Sequence, residues 1–184
     1  MPVILSILAL SVVLTGGRRR EVYAFDVDGV LIDAEERLRE ALRRVGAGAA
    51  PSPRDLRPRL RSMFRRVFLS EELLAYDRPR EVGIRLLLDR LQRGRVIVLT
   101  GRPSRLRRAT LAELERAGVP IEKVELVMRP PRDVRRDYVF KADVLRQLAG
   151  VAEVHDDEVE VLRAAGRIHP RARLHLHREM TTSC

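Results

Sequence analysis

Four uniformly apolar residues, Val22-Tyr23-Ala24-Phe25, run directly into Asp26-Val27-Asp28-Gly29. A strand with no polar alternation has no face to offer water, so it belongs at the centre of a parallel sheet covered by helices on both sides. In such sheets the crevice at the carboxyl ends of the strands is where ligands bind. Two carboxylates at that point, followed by a glycine that lets the chain turn sharply, constrain the fold and the site together.

The rest of the chain keeps this rhythm. Arg95 to Leu99 repeats the buried-strand character, Val124 to Met128 and Val151 to His155 are shorter runs of the same kind, and Arg171 to His177 alternates as an edge strand does. Between them, apolar periodicity predicts helices over Ala34 to Val45, Arg80 to Arg93, Ser104 to Ala117, Val139 to Leu148 and Glu158 to Ala165. Ser104 is placed to cap its helix, and Gly94, Gly118 and Gly166 are placed to end theirs in the left-handed conformation. This alternation predicts an α/β fold, a three-layer Rossmann-like parallel sheet. The stretch from Gly46 to Arg78 interrupts it with Pro51, Pro53 and Pro58 and a basic segment through Met63, Phe64, Val67 and Phe68. Too long for a connecting loop and too short for an independent domain, it reads as a small helical cap inserted at about 46–78.

Composition narrows the classes. A chain of 184 residues, 45% hydrophobic and 34% charged, is one ordinary domain rather than a disordered tail or a multi-span membrane protein. Its single cysteine, Cys184, can close no internal disulfide, which points to a reducing, cytoplasmic setting. The absence of Asn and Trp, with Gln only at Gln92 and Gln147, fits a thermophile or a GC-biased genome. The net charge of +10 is almost all arginine, and against that background the two lysines, Lys123 and Lys141, stand out, because an ammonium and a guanidinium are not interchangeable in a tight site. Residues 1–17 form a separate apolar segment, read as an extra core element, an upstream start or a weak membrane anchor. Its run from Pro2 to Leu14 is shorter than the roughly 20 residues a spanning helix needs and has no positive region before it, so no stable membrane insertion is expected. Residues 18–184 carry the folded core.

Three further stations fall at the same predicted edge as Asp26 and Asp28. The second strand ends in Thr100-Gly101-Arg102-Pro103, a hydroxyl and a guanidinium suited to a phosphoryl group; Lys141 follows in a later helix, and Asp156-Asp157 closes another strand. A calcium loop is a poor alternative for Asp26-Val27-Asp28-Gly29, since Val30 and Ile32 occupy the turn where further acidic ligands belong.

In order and spacing these residues resemble the four motifs of the haloacid dehalogenase superfamily, from Asp26 to Asp157. The resemblance implies a phosphate monoester hydrolase in which Asp26 attacks phosphorus and forms an aspartyl-phosphate, Asp28 protonates the leaving oxygen and later activates water, Thr100 holds a phosphoryl oxygen and Lys141 neutralises the reacting oxygens. It implies a magnesium ion held by Asp26, the backbone carbonyl of Asp28 and one of Asp156 and Asp157, with Asp157 the favoured ligand. Dehalogenation leaves Asp28 without a task. For Asp28 to start as an acid it must be protonated, and the neighbouring carboxylate is expected to raise its pKa. The run Thr100-Gly101-Arg102 and the stretches Leu126 to Arg129 and Asp137 to Lys141 look further like the phosphatase domain of polynucleotide kinase-phosphatases, which implies that Gly101, Arg102 and Asp137 meet the substrate. The insertion after Asp33 departs from that family's.

Three arginine clusters, Arg54 to Arg66, Arg105 to Arg108 and Arg129 to Arg136, could form a rim for nucleic acid, although no aromatic residues interleave them as stacking platforms. The expected substrate is therefore a nucleic-acid terminal phosphate, with a small nucleotide or sugar phosphate as the second reading and a non-catalytic basic nucleic-acid-binding module as the third. His155, His175 and His177 read as ordinary strand residues rather than metal ligands. Protein partners are unknown from sequence.

Overall fold

The computed structural model describes residues 20–50 and 52–177, so the reading of residues 1–17 lies outside it. Five strands, β1 (Val22–Phe25), β4 (Arg95–Pro103), β5 (Val124–Arg129), β6 (Val151–Asp156) and β7 (Arg173–Leu176), form one sheet in the order β5-β4-β1-β6-β7. Every adjacent pair is parallel. After β1 the chain moves outward through β4 and β5 and then returns to the other side of β1 for β6 and β7. The order reverses at β1, and the crevice of such a sheet opens at that point, at the strands' carboxyl ends.

The four residues of β1 are buried because both faces of the sheet are covered. Tyr23 and Phe25 join Val96 and Val98 under α3 (Glu81–Leu91) and α4 (Arg107–Arg116), through Ile84, Leu87 and Leu114. Val22 and Ala24 join Ile97 and Leu99 under α5 (Asp137–Arg146) and α6 (Val159–Ile168), through Phe140, Leu145, Leu162 and Ala165. The expected edge strand is β7, shorter than its alternating pattern.

Boundaries differ where local chemistry was misjudged. Ser104 does not cap a helix; it begins a short 3-10 turn, Ser104–Leu106, and α4 starts at Arg107 without a side-chain cap. Of the glycines expected to end helices, Gly118 is left-handed at φ +89°, whereas Gly94 is not and Gly166 lies inside α6. β4 runs on past Leu99 through Thr100, Gly101 and Arg102, and α5 begins at Asp137, so Lys141 sits one turn into that helix.

Helix α1 (Glu35–Arg44), helix α2 (Pro58–Phe68) and the 3-10 turns Pro53–Asp55 and Glu72–Tyr76 gather around their own apolar cluster of Ala41, Leu42, Leu56, Phe64 and Leu73. A two-residue antiparallel pair, β2 (Ile32–Asp33) with β3 (Arg78–Pro79), joins the two ends of this helical module.

Candidate active site

The carboxyl ends of β1, β4 and β6 and the first turn of α5 bring together residues 115 positions apart. Lys141 Nζ donates to Asp26 Oδ2 at 2.6 Å and to Asp156 Oδ2 at 2.8 Å, and lies 2.9 Å from Asp137 Oδ2. The ammonium is 1% exposed. Burial alone would lower its pKa, but Asp26, Asp156 and Asp137 outweigh that and raise it, so it is a permanent cation. The other oxygen of Asp26 accepts the Val27 amide at 2.7 Å. Asp156 Oδ1 accepts the Glu158 amide at 2.9 Å, fixing that carboxylate from behind.

Around this one ammonium the carboxylates are in excess. Asp26, Asp156 and Asp157 each offer an oxygen within 4.8 Å of the others. Burial pushes Asp26 well above the ordinary carboxylate range, only partly opposed by Lys141. Asp157 is raised to about 7, by crowding from the surrounding protein and by the charge of Asp156, although its side chain reaches solvent at the rim. A cluster of hard oxygen donors with surplus negative charge fits a magnesium ion. Gly29 makes room for the Asp157 side chain, since a Cβ there would stand 2.6 Å from Asp157 Oδ2, and its φ of +78° is one that other residues rarely adopt.

Asp28, two residues from Asp26, faces a different environment. Its Oδ1 accepts Arg102 Nη2 at 2.6 Å and Arg37 Nη2, while Arg102 Nε lies 3.2 Å from both oxygens. Both guanidiniums are fully buried. Burial would raise the pKa of Asp28, but the two cations outweigh it and hold the carboxyl well below its usual range. The expected upward shift is therefore overturned: the sequence places a carboxylate next to Asp28 but gives no sign of two arginines arriving from α1 and β4.

The remaining site residues fall close by. Thr100 is buried at the end of β4, and its Oγ1 accepts the Arg102 amide at 3.2 Å. A Cβ on Gly101 would overlap Asp137 Oδ1, so only glycine lets Asp137 lie against β4. Asp137 Oδ1 accepts Arg129 Nη2 at 2.6 Å, and Arg129 Nε holds the Gly101 carbonyl at 3.1 Å. Arg102 does not present a free fork to an open space. Besides Asp28 it binds Asp77 Oδ2 at 2.9 Å, Thr110 Oγ1 at 3.3 Å and Glu113.

No protein-family model and no curated protein matches the sequence. Solved structures do. The chain is similar to one in the Pnkp1/Rnl/Hen1 RNA repair complex, with 19% identity over 96% of this chain and 48% of that one, at a TM-score of 0.60; it thus spans about half of that chain. It is also similar to a haloacid dehalogenase-like family hydrolase from Streptococcus pneumoniae, with 13% identity over 80% of each chain and a TM-score of 0.57. A third is a HAD-superfamily hydrolase of subfamily IA from Geobacter sulfurreducens, with 15% identity over 84% of this chain and 85% of that one, at 0.51. The fold is that of the haloacid dehalogenase-like hydrolases.

On this haloacid dehalogenase-like scaffold, four residues near the site were not singled out from sequence: Arg37, Asp77, Glu113 and Arg129 as an anchor rather than a rim residue. In a chain with 36 basic residues, a given arginine carries no signal. Only its burial distinguishes it, and Arg37, Arg102 and Arg129 are all buried. Part of each arginine cluster is spent internally. Arg61 holds the carbonyls of Arg54 and Leu56, Arg105 that of Leu69 and Arg107 that of Leu126, while Arg135 pairs with Asp133 and Asp143. Arg57, Arg59, Arg65 and Arg66 remain exposed on or beside α2.

The histidines do come together, across β6 and β7. His155 stacks between Phe25 and His175, 4.1 and 4.3 Å between ring centroids with the planes within 4°. Its Nδ1 lies 3.0 Å from His177 Nε2 and its Nε2 3.1 Å from Glu153 Oε2. Rings stacked in parallel planes cannot aim their lone pairs at one ion, and Glu153 already accepts Arg90 at 2.7 Å and Arg173. The cluster is a packed polar row on one face of the sheet.

Proposed function

We propose that the protein is a magnesium-dependent phosphate monoester hydrolase acting through an aspartyl-phosphate, with Asp26 as nucleophile. The observation that carries this reading is the bridge from Lys141 to Asp26 and Asp156, which places a permanent cation against a buried carboxylate at the mouth of a haloacid dehalogenase-like sheet. An anionic ester repels a bare carboxylate, and the site must offset that repulsion before bond formation. A magnesium ion held by Asp26, Asp157 and the Asp28 carbonyl would supply the remaining positive charge and keep Asp26 ionised. Of the two adjacent aspartates, Asp156 is buried with both oxygens accepting hydrogen bonds, whereas Asp157 reaches solvent, which favours Asp157 as the second carboxylate ligand.

Asp26 Oδ2 attacks phosphorus while Lys141 holds its charge, the ester oxygen leaves, and water later attacks the phosphoryl group and regenerates the carboxylate. Asp28 stands in place to exchange a proton with the leaving oxygen and with that water. In the resting enzyme it is ionised and clamped by Arg37 and Arg102, so the proton it passes to the leaving oxygen comes first from the phosphate monoanion or from solvent water as substrate charge arrives beside it, and the attacking water returns one in the second half. Thr100 contributes a hydroxyl, and Asp137, anchored by Arg129, keeps Lys141 upright.

The substrate class we favour is a terminal phosphate on a nucleic acid. This rests on the resemblance of Thr100 to Arg102 and Asp137 to Lys141 to polynucleotide phosphatases and on the exposed arginines beside α2. Burial pushes the pKa of Glu158 up and the charge of Arg54, from the same module, opposes this slightly, which supports a basic edge near the site. Turnover of an aryl phosphate, of oligonucleotides bearing 3′- or 5′-phosphate and of sugar phosphates, each with and without magnesium, tests the reading. We expect magnesium-dependent release of phosphate, fastest from oligonucleotides, and Asp26→Asn to lose on the order of a thousandfold or more. Reaction with small phosphates only would refute the nucleic-acid substrate. Tight, salt-sensitive oligonucleotide binding with no hydrolysis would make the chain a binding module instead.

A further inference from the structure

Behind Asp28 lies a sealed set of charges that does not balance. Two guanidiniums, Arg37 and Arg102, meet three carboxyl groups, Asp28, Asp77 and Glu113. Four of these five side chains are between 0% and 7% exposed, and Asp28 alone, at 25%, reaches the site. They come from separate elements: Arg37 from α1, Asp77 from the end of the helical module, Arg102 from β4 and Glu113 from α4. Thr110 Oγ1 and the Phe68 ring, 4.2 Å from the Arg37 guanidinium, close the set without adding charge. If every carboxyl were ionised, a net negative charge would be locked away from water, which is costly.

Two further observations locate the missing proton. Asp77 Oδ2 and Glu113 Oε2 accept from the two terminal nitrogens of the one Arg102 guanidinium, Nη2 at 2.9 Å and Nη1, which brings two buried carboxyl groups side by side and favours one proton between them. Asp77 Oδ1 and Glu113 Oε1 are buried acceptors without a hydrogen bond, as are two buried donors of Arg37, Nε and Nη1; Nε stands 3.0 Å from Asp77 Oδ1, whereas Glu113 Oε1 has no donor of the set beside it. One proton on the pair gives Glu113 Oε1 the partner that Arg37 can give only to Asp77.

We infer that Asp77 and Glu113 share one proton and, through Arg102 and Arg37, act as positioning residues that fix where Asp28 stands. With the pair carrying a single charge, two cations face two anions, and both guanidiniums can commit their inner edges to Asp28. If the pair loses its proton, Asp77 draws Arg37 and Arg102 toward itself and Asp28 loosens. Burial, and then the bond to Glu113, pushes the pKa of Asp77 up to about 8, so this loss belongs to mildly alkaline pH. The effect on Asp28 rests on the proposed hydrolase reading, whereas the shared proton does not.

The test compares the full chain with Asp77→Asn, Asp77→Ala and Glu113→Gln, measuring para-nitrophenyl phosphate hydrolysis with magnesium and thermal unfolding from about pH 5 to about pH 10. Asp77→Asn and Glu113→Gln are expected to unfold near the wild-type temperature at neutral pH, because the amide offers an N–H where the proton sat. The native pair holds a proton that the unfolded chain releases, so wild-type stability falls as pH rises toward and through about 8, and Asp77→Asn escapes that fall. Asp77→Ala should lower kcat about tenfold or more with KM nearly unchanged, and Asp77→Asn should recover most of it without the alkaline decline. Asparagine as destabilising as alanine at neutral pH would overturn the shared proton. Variant pH profiles that superimpose on the wild type once scaled would overturn the positioning role. If the wild type hydrolyses no phosphate ester, the function reading fails, and the unfolding arm still decides the proton.

Discussion

Asp26 and Asp28 are separated by a single valine, yet their carboxyl groups live in opposite electrostatic surroundings. Around Asp26, Asp137, Asp156 and Asp157 crowd one ammonium, and burial raises its pKa. Around Asp28 two buried guanidiniums converge, and they lower it. A strand end that turns at Gly29 sends neighbouring side chains to different walls, so identical chemistry along the chain becomes unlike chemistry in space. One carboxylate shares a single ammonium with its neighbours, which suits a nucleophile assisted by a further cation; the other is gripped by two guanidiniums, which suits a group that must be held still.

The sharpest way to break this contrast is on the acidic side. Lys141→Met leaves Asp26 and Asp156 buried without a cation, and removing one partner of such a set costs about 3–5 kcal/mol. A much lower unfolding temperature and loss of detectable hydrolysis are expected, and a variant that unfolds and turns over normally would contradict the role given to Lys141. On the basic side, Arg102→Lys keeps the charge but cannot reach Asp28, Asp77, Thr110 and Glu113 from one nitrogen. A loss of about a hundredfold in kcat with the fold intact is expected from misplacement of Asp28, read from steady-state kinetics beside circular dichroism. Gly101→Ala tests the seam where Asp137 meets β4. Its new methyl displaces Asp137 and slackens Lys141, and a loss of about tenfold is anticipated.

The smallest effect is also the most diagnostic of charge. Asp157 has a pKa raised to about 7, so the native protein binds a proton there that the unfolded chain has already lost near its ordinary carboxylate range. Without magnesium, this group's contribution to stability falls as pH rises through that window up to about 7. Magnesium should oppose the fall, raising the unfolding temperature by a few degrees near pH 8 and hardly at all near pH 5, and Asp157→Asn should abolish the response. Equal stabilisation at both pH values would argue against Asp157 as a ligand.

Much of this was legible in sequence. Val22 to Phe25 could be placed at the centre of the sheet because four apolar residues in a row admit no exposed face, and β4, β5, β6 and β7 followed by the same logic. The strand ends, with Asp26, Asp28, Thr100 and Asp156, followed from the strands. Lys141 stood out because lysine is rare here. The arginines did not: nothing local marks Arg37 or Arg129 as buried anchors among so many surface arginines, and Asp77 reads as an ordinary acid at the end of an insertion. The downward shift at Asp28 could not be foreseen for the same reason, since its causes lie 9 and 74 residues away.

What the sequence determined by itself is the periodic burial that builds the sheet and the carboxylates that end its strands, because those depend on residues next to one another. Which carboxylate is gripped by guanidiniums, which crowds around a single ammonium, and which arginines leave solvent to do the holding were decided by tertiary structure. Charge interactions in a water-free interior depend on distance through space, and only the folded chain sets that distance.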